Sequence, residues 1–272
     1  MIALTENEFE QLKKILNEKL GLYLGDNMKE VVEGQLQSIL TRHNFPSFQA
    51  LCEHLQKAAD NKLLLGIQNV ITPGHTFFFR EKDHFDFLSS TVFPELYSSE
   101  KGLRDIRIWC AACSSGEESY GIGMHLMEYF QNRVGVDLGV LATDISMSSL
   151  SKAKKGVYSD AEVSKVPLGF KQQFFQQAKP GLWQVTPDLQ KLITFRQFNI
   201  LSKSFPFQQP FDAIFCRNLL IYFDNESIEK VVRNIYDFTS PGGYLFIGSS
   251  ESLQTLDSDF EYIAPGIYRR GK

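Results

Sequence analysis

From about residue 104 to the C-terminus, runs of strand length alternate with segments of helical pattern, and this alternation is what most limits the folds open to the chain. "IRIWCAAC" (106–113), "VDLGVLATDI" (136–145), "LITFRQFNI" (192–200), "FDAIFCRN" (211–218) and "YLFIGSS" (244–250) read as strands. Between them, "SSGEESYGIGMHLMEYF", "SMSSLSKAKKG" and "ESIEKVVRNIYDF" read as helices, the last stopped by "SPGG". Parallel strands need a crossover of a dozen or more residues, and helices of this length supply it. The expected fold is therefore α/β, a Rossmann-like doubly wound sheet. The closing segment, "FEYIAPGIYRRG", reads as an antiparallel hairpin at its edge, turning at Pro265 and Gly266.

Two stretches stand apart from this pattern. Residues 158 to 192 contain Pro167, Pro180 and Pro187, and read as an inserted subdomain with short antiparallel strands that turn near Pro180 and Gly181. The first seventy residues look helical. Thr5 and Glu8 have capping-box spacing, Phe9, Leu12, Leu16 and Leu20 follow at helical intervals, and Gly21 is placed to stop the helix. A second helix is expected from about Asn27 to Arg42 with Val31, Val32, Leu36, Ile39 and Leu40 inward, and a third from Ser47. This gives an N-terminal helical domain over 1–72 and a second domain over 73–272, with the insert at about 158–192.

A formal net charge of −4 gives no global reason to expect nucleic acid or an anionic membrane as partner. Cys110 and Cys113 form a C-x-x-C, but no second pair follows at zinc spacing and the run around them is apolar, so they read as buried core thiols with no metal. The N-terminus lacks a signal-type apolar core and no window approaches a membrane span, so the expected location is the cytoplasm.

In an open α/β sheet, ligands bind outside the carboxyl ends of the strands. Polar groups fall at four such ends: Glu117, Asp144, Asn199 and the pair Arg217–Asn218. Arg217 lies within "IFCRNLLIYF", where an unpaired guanidinium would be costly, so a partner such as Glu117 or Glu251 is expected unless a ligand is met there. The first turn, "AACSSGEES", has one glycine and two acids where a dinucleotide site needs G-x-G-x-x-G. Acids there repel a pyrophosphate and suit a cationic ammonium or sulfonium. A carboxylate at Asp144 can accept both ribose hydroxyls. An adenosine with a cationic amino-acid tail is S-adenosylmethionine, whose product is S-adenosylhomocysteine.

With these residues in place, the chain resembles the CheR-type chemoreceptor glutamate methyltransferases over nearly its full length. The resemblance rests on "FFFRE" (77–81), "IWCAACSSGEESYGIGM" (108–124), "LATDIS" (141–146), "FNIL" (198–201), "FDAIFCRNLLIYFD" (211–224) and "GGYLFIGSSESL" (242–253). It implies cofactor contacts at Thr76, Arg80, Glu117, Asp144, Asn199, Ile200, Arg217 and Asn218, and an active site containing Arg80 and Tyr222. It implies an O-methyltransferase forming glutamate methyl esters on cytoplasmic helices of a methyl-accepting chemotaxis receptor or a related signalling protein. Three departures bear on this. Gly74 stands at the family's asparagine place between Thr72 and Thr76. Gln35, Gln37 and Ser38 stand where the second helix is commonly basic. The insert's turn has one glycine and a proline, so no tethering of a receptor's C-terminal pentapeptide is expected. The first two motivate an alternative, a non-catalytic S-adenosylmethionine-binding scaffold or sensor.

Overall fold

The computed structural model describes residues 2–20, 22–57, 60–71, 76–98, 104–202 and 204–272. Gly21 and the segment 72–75, with Thr72, Gly74 and His75, lie outside the described residues. The chain divides into two units, Met1–Gly74 with Ile221–Ile228, and His75–Leu220 with Glu229–Lys272.

The first unit contains helices α1 (Glu6–Leu20), α2 (Lys29–His43), α3 (Phe48–Lys57) and α4 (Asn61–Ile71). The capping box forms: the Glu8 amide donates to Thr5 Oγ1 at 3.3 Å and the Thr5 amide to Glu8 Oε2 at 2.9 Å. Phe9, Leu12, Leu16, Val32, Leu36 and Ile39 are buried. Val31 is 50% exposed, against expectation. The inward stripe of α2 runs through 32, 36, 39 and 40, and position 31 lies a third of a turn off it. Helix α4 was not separately expected, although Asp60 caps its start by accepting the Leu63 amide at 3.0 Å. The segment Ile221–Ile228 joins this unit through an antiparallel bridge of Leu22 with Phe223, the Tyr23 amide donating to the Tyr222 carbonyl at 2.8 Å, and Asn17 Nδ2 donating to Asp224 at 2.6 Å.

The second unit opens with α5 (Lys82–Phe87), a π-helical turn (Leu88–Val92) and α6 (Phe93–Ser98). No helix was expected over this run, and Pro94, which lacks a backbone donor, lies within α6. Then follow β1 (Arg104–Ala111), α7 (Glu117–Phe130), β2 (Val136–Asp144), α8 (Met147–Lys155), β3 (Val157–Ser159), α9 (Asp160–Val163), α10 (Leu168–Phe174), β4 (Phe175–Lys179), β5 (Leu182–Val185) and α11 (Pro187–Leu192). The chain continues through β6 (Ile193–Gln197), β7 (Phe211–Phe215), α12 (Asn225–Asp237), β8 (Thr239–Phe246), β9 (Glu261–Ala264) and β10 (Ile267–Arg269).

Among the described residues the main sheet has the order β6-β2-β1-β7-β8-β10-β9. Its first five strands are parallel, and β10 and β9 add the antiparallel hairpin at the edge. Strands β3, β5 and β4 form a separate antiparallel sheet. This is the Rossmann-like α/β class with a helical N-terminal part and a small β insert. Successive residues of β1 face opposite sides. Trp109 meets Phe205, Phe207 and Phe211 on one side, while on another flank Phe215 stacks on Phe246 at 4.2 Å between centroids. One reading is corrected: "SPGG" does not lie between helix and strand but inside β8. The register jumps from Phe211–Thr239 to Ala213–Tyr244, and Gly242 at φ 77 takes up the bulge.

Candidate active site

Strand order reverses at β1, which has β2 on one side and β7 on the other, so the crevice for a ligand opens above the end of β1. The turn that leaves β1 is tightly constrained. Ala112 (φ 59), Ser114 (φ 48) and Gly116 (φ 99) all take left-handed backbone, at roughly 1 kcal/mol or more for each non-glycine residue. The end of β2 holds it there: the Cys113 amide donates to the Thr143 carbonyl and the Ser114 amide to Asp144 Oδ2, both at 2.8 Å. Tyr158 Oη donates to the Ser115 carbonyl at 2.7 Å. A Cβ on Gly116 would stand 2.9 Å from Ala153 Cβ and 3.0 Å from Tyr158 Oη, so only glycine lets α8 approach this closely.

Asp144 and Glu117 both meet this turn. Asp144 accepts one backbone amide on each oxygen, Ser114 on Oδ2 and Ser146 on Oδ1, and burial still raises its pKa above the ordinary aspartate value. A carboxylate so held retains lone pairs for further donors. Glu117 is buried at the first position of α7, accepts Ser115 Oγ at 2.8 and 2.9 Å, and lies 3.9 Å from Lys152 Nζ. Burial raises its pKa, with the Ser115 hydroxyl opposing.

Arg217 is buried and fully engaged, with partners different from those expected. Nη1 donates to Glu118 Oε2 at 2.6 Å, Nε to Glu81 Oε2 at 3.3 Å, and Nη2 to the Arg80 carbonyl. Glu117 turns to Ser115, and Glu251 accepts the backbone amides of Asn218 and Gly248. Asp212 lies at the opposite end of β7, where it accepts the Arg107 amide at 2.9 Å. Asn218, at φ 56, donates from Nδ2 to Glu81 Oε1 at 3.2 Å. Burial alone would raise the pKa of Glu81, but the Arg217 charge and donors from Asn218 and Ser249 outweigh it and hold the carboxyl below its usual range.

Glu117, Asp144 and Arg217 are thus all tied to residues 112–118. Arg80 belongs to the turn that carries Glu81 and joins this assembly through its carbonyl, while Thr76 precedes that turn. Asn199 and the buried Ile200 follow β6, where Asn199 Oδ1 accepts the Leu201 amide at 3.0 Å. Tyr222 falls in the other unit, its carbonyl bonded to Tyr23. Glu81 was not singled out in the sequence, and Glu118 was read only as one of the two acids of the first turn, not as a partner of Arg217; the signal for both was a buried arginine in need of carboxylates.

Cys110 and Cys113 are buried free thiols, and burial raises the pKa of both. Cys110 donates weakly to Glu118 at 3.3 Å. Among the described residues no group of three or more His, Cys, Asp or Glu could hold a metal, and no helix is long and apolar enough to cross a membrane. The chemistry of this set fits S-adenosylmethionine: carboxylates around a constrained turn, with no cluster of glycine amides for a pyrophosphate.

Comparison with known proteins agrees. Residues 74–267 match the model of the CheR methyltransferase SAM-binding domain, and residues 7–65 match the CheR methyltransferase all-alpha domain. A chemotaxis protein methyltransferase of Borreliella burgdorferi is 37% identical over 99% of this chain and 96% of its own length. Chemotaxis protein methyltransferase Cher2 of Pseudomonas putida is 32% identical over 97% of this chain and 98% of its own, and chemotaxis protein methyltransferase 1 of Pseudomonas aeruginosa 33% over the same shares. Both halves of the chain match in order, so the protein belongs to the CheR family of S-adenosylmethionine-dependent methyltransferases.

Proposed function

We propose that this enzyme esterifies glutamate side chains on the cytoplasmic helices of a methyl-accepting chemotaxis receptor or a related signalling protein. The observation that carries the reading is the attachment of Asp144, Glu117 and Arg217 to one turn at the sheet's switch point. Names of relatives 31–37% identical over most of the chain favour an enzyme in chemotaxis over a scaffold that binds the cofactor without chemistry. The reading divides the chain into a helical domain over 1–72 and a methyltransferase domain over 73–272, with the insert at about 158–192. It places the enzyme in the cytoplasm and assigns no pentapeptide tether to the β4–β5 turn.

Thr76, Arg80, Glu117, Asp144, Asn199, Ile200, Arg217 and Asn218 are the residues assigned to hold S-adenosylmethionine. When bound, that cofactor supplies a methyl group activated by its sulfonium charge. Asp144 has lone pairs beyond its two amide bonds for ribose hydroxyls, and Ile200 offers an apolar surface to a base. A substrate glutamate, with an ordinary pKa near ~4.3, is already ionised at neutral pH and needs no general base. The protein's work is then alignment and removal of water. Arg80 and the Tyr222 phenol are assigned to orient the incoming carboxylate without neutralising it. Radiolabelled methyl transfer into membranes of the source organism, followed by alkaline release as methanol, tests this. Arg80→Ala and Tyr222→Phe are expected to abolish transfer. Label that survives base, or calorimetry with no heat from S-adenosylmethionine or S-adenosylhomocysteine, overturns the reading.

A further inference from the structure

The turn that carries Arg80 is built from residues poorly suited to its shape. Phe79 and Glu81, on either side of Arg80, both have left-handed backbone, at φ 59 and 54, and neither is glycine. Within the turn the Arg80 amide reaches the Phe77 carbonyl at 3.4 Å and the His84 amide reaches the Glu81 carbonyl at 3.1 Å. Such a conformation persists only where something outside the turn imposes it.

What imposes it is the carboxylate of Glu81. Its Oε2 faces Arg217 Nη2 at 3.1 Å and Nε at 3.3 Å, and accepts the Ser249 amide at 3.2 Å. Its Oε1 accepts Asn218 Nδ2 and Ser249 Oγ, each at 3.2 Å. His84 Nδ1 lies 3.5 Å from Oε2 on the remaining side. One side chain thereby joins the Arg80 turn to the loops after β7 and β8 at once. Arg217 completes the grip by donating to the carbonyl of Arg80 itself. Space for the arrangement is kept by Gly248, where a Cβ would stand 2.3 Å from Asn218 Nδ2.

We infer that Glu81 is a positioning residue for methyl transfer: it fixes the Arg80 turn against the ends of β7 and β8, so that Arg80 points in one direction before substrate arrives. The inference rests on the assignment of Arg80 to the reaction. Its lowered pKa keeps Glu81 ionised at neutral pH, as this role requires. Glu118 is the contrasting neighbour: it also pairs with Arg217, but from the start of α7.

The test compares the wild-type chain with Glu81→Gln, Glu81→Asp and Glu118→Gln, and has two readouts. In hydrogen–deuterium exchange on the protein alone, Glu81→Gln is expected to speed exchange in a peptide covering 77–86 at least tenfold while leaving peptides of β1 and β2 unchanged. In methyl transfer to source-organism membranes, it is expected to lower kcat tenfold or more with KM for S-adenosylmethionine within threefold. Glu81→Asp keeps the charge on a shorter arm and is expected to fall between wild type and Glu81→Gln; should Glu81→Gln not fold, Glu81→Asp decides. Glu118→Gln is expected to leave exchange in 77–86 unchanged. Unchanged exchange in 77–86, or a rise in KM that accounts for the whole loss, overturns the inference. If the wild type transfers no methyl group, the proposed reaction fails, and exchange still decides whether Glu81 holds the turn.

Discussion

Replacing Asp144 by asparagine separates what this carboxylate does for the fold from the role proposed for it at the cofactor. Each oxygen accepts one backbone amide, Ser114 on Oδ2 and Ser146 on Oδ1, both at 2.8 Å. Whichever way the new amide turns, its NH2 faces one of those N–H groups and leaves it without an acceptor, at a cost of about 1–3 kcal/mol. Loss of the charge works in the other direction, because burial has raised the pKa of Asp144 and the neutral amide escapes that penalty. The two effects oppose each other, so the net change in stability is expected to stay under about 2 kcal/mol. Cofactor affinity has no such compensation. A hydrogen bond to a charged acceptor contributes about 1.5–3 kcal/mol, and the variant loses one acceptor outright and the charge behind the other. A loss of about 2–4 kcal/mol corresponds to a Kd for S-adenosylhomocysteine roughly 30- to 1,000-fold weaker. Calorimetric titration measures this, with urea unfolding on the same preparation. A variant that is folded and binds within threefold of wild type would refute the placement of Asp144 at the ribose.

Three further substitutions probe the same end of the sheet and its opposite. Gly116→Ala combines strain at φ 99 with a contact 2.9 Å from Ala153 Cβ, so a loss of roughly 2–4 kcal/mol is expected in urea unfolding, and a loss below about 1 kcal/mol would contradict it. Arg217→Met leaves the Glu81 and Glu118 carboxylates without their shared cation, for about 3–5 kcal/mol; adding Glu118→Gln should recover part of that loss, and strict additivity would show that the pair is not coupled. Asp212 has its pKa raised by burial, so its contribution to stability is fully present below the ordinary value of 3.8 and is lost as pH rises through the raised one. Asp212→Asn removes that dependence. Unfolding at pH 4 and pH 7 should therefore show the variant gaining on wild type as pH rises, and a gain at the acid end instead would reverse the sign of the argument.

Most of the sheet could be read from the chain because each strand is a separate apolar run and each crossover a helix of sufficient length. The ends of those runs placed Glu117, Asp144, Asn199 and Arg217 at one edge, since parallel topology leaves no other arrangement. Errors came where local pattern yielded to tertiary contact. "SPGG" is strong helix-stop chemistry, yet the chain extends through it as a bulged strand because Phe211 offers Thr239 a ladder partner. Val31 belonged to the apolar composition of α2 but not to its inward stripe.

The partners of Arg217 show why a site's interior is harder to read than its outline. Burial within "IFCRNLLIYF" required a carboxylate, and the sequence offered Glu117 and Glu251 as candidates, whereas the structure supplies Glu118 and Glu81. Glu117 and Glu118 are adjacent at the start of α7, where successive side chains diverge by about 100°. One of them must therefore turn away from Arg217. Which one depends on the three left-handed residues of the preceding turn, which set the rotation at which α7 begins. That rotation sends Glu117 to Ser115 and Lys152, and Glu118 to the guanidinium. Glu251 is drawn off by the amides of Asn218 and Gly248, leaving a place beside Arg217 that Glu81 fills from a segment 136 residues earlier. Sequence could state the charge that was missing, but only the backbone of two strained turns determines which residues supply it.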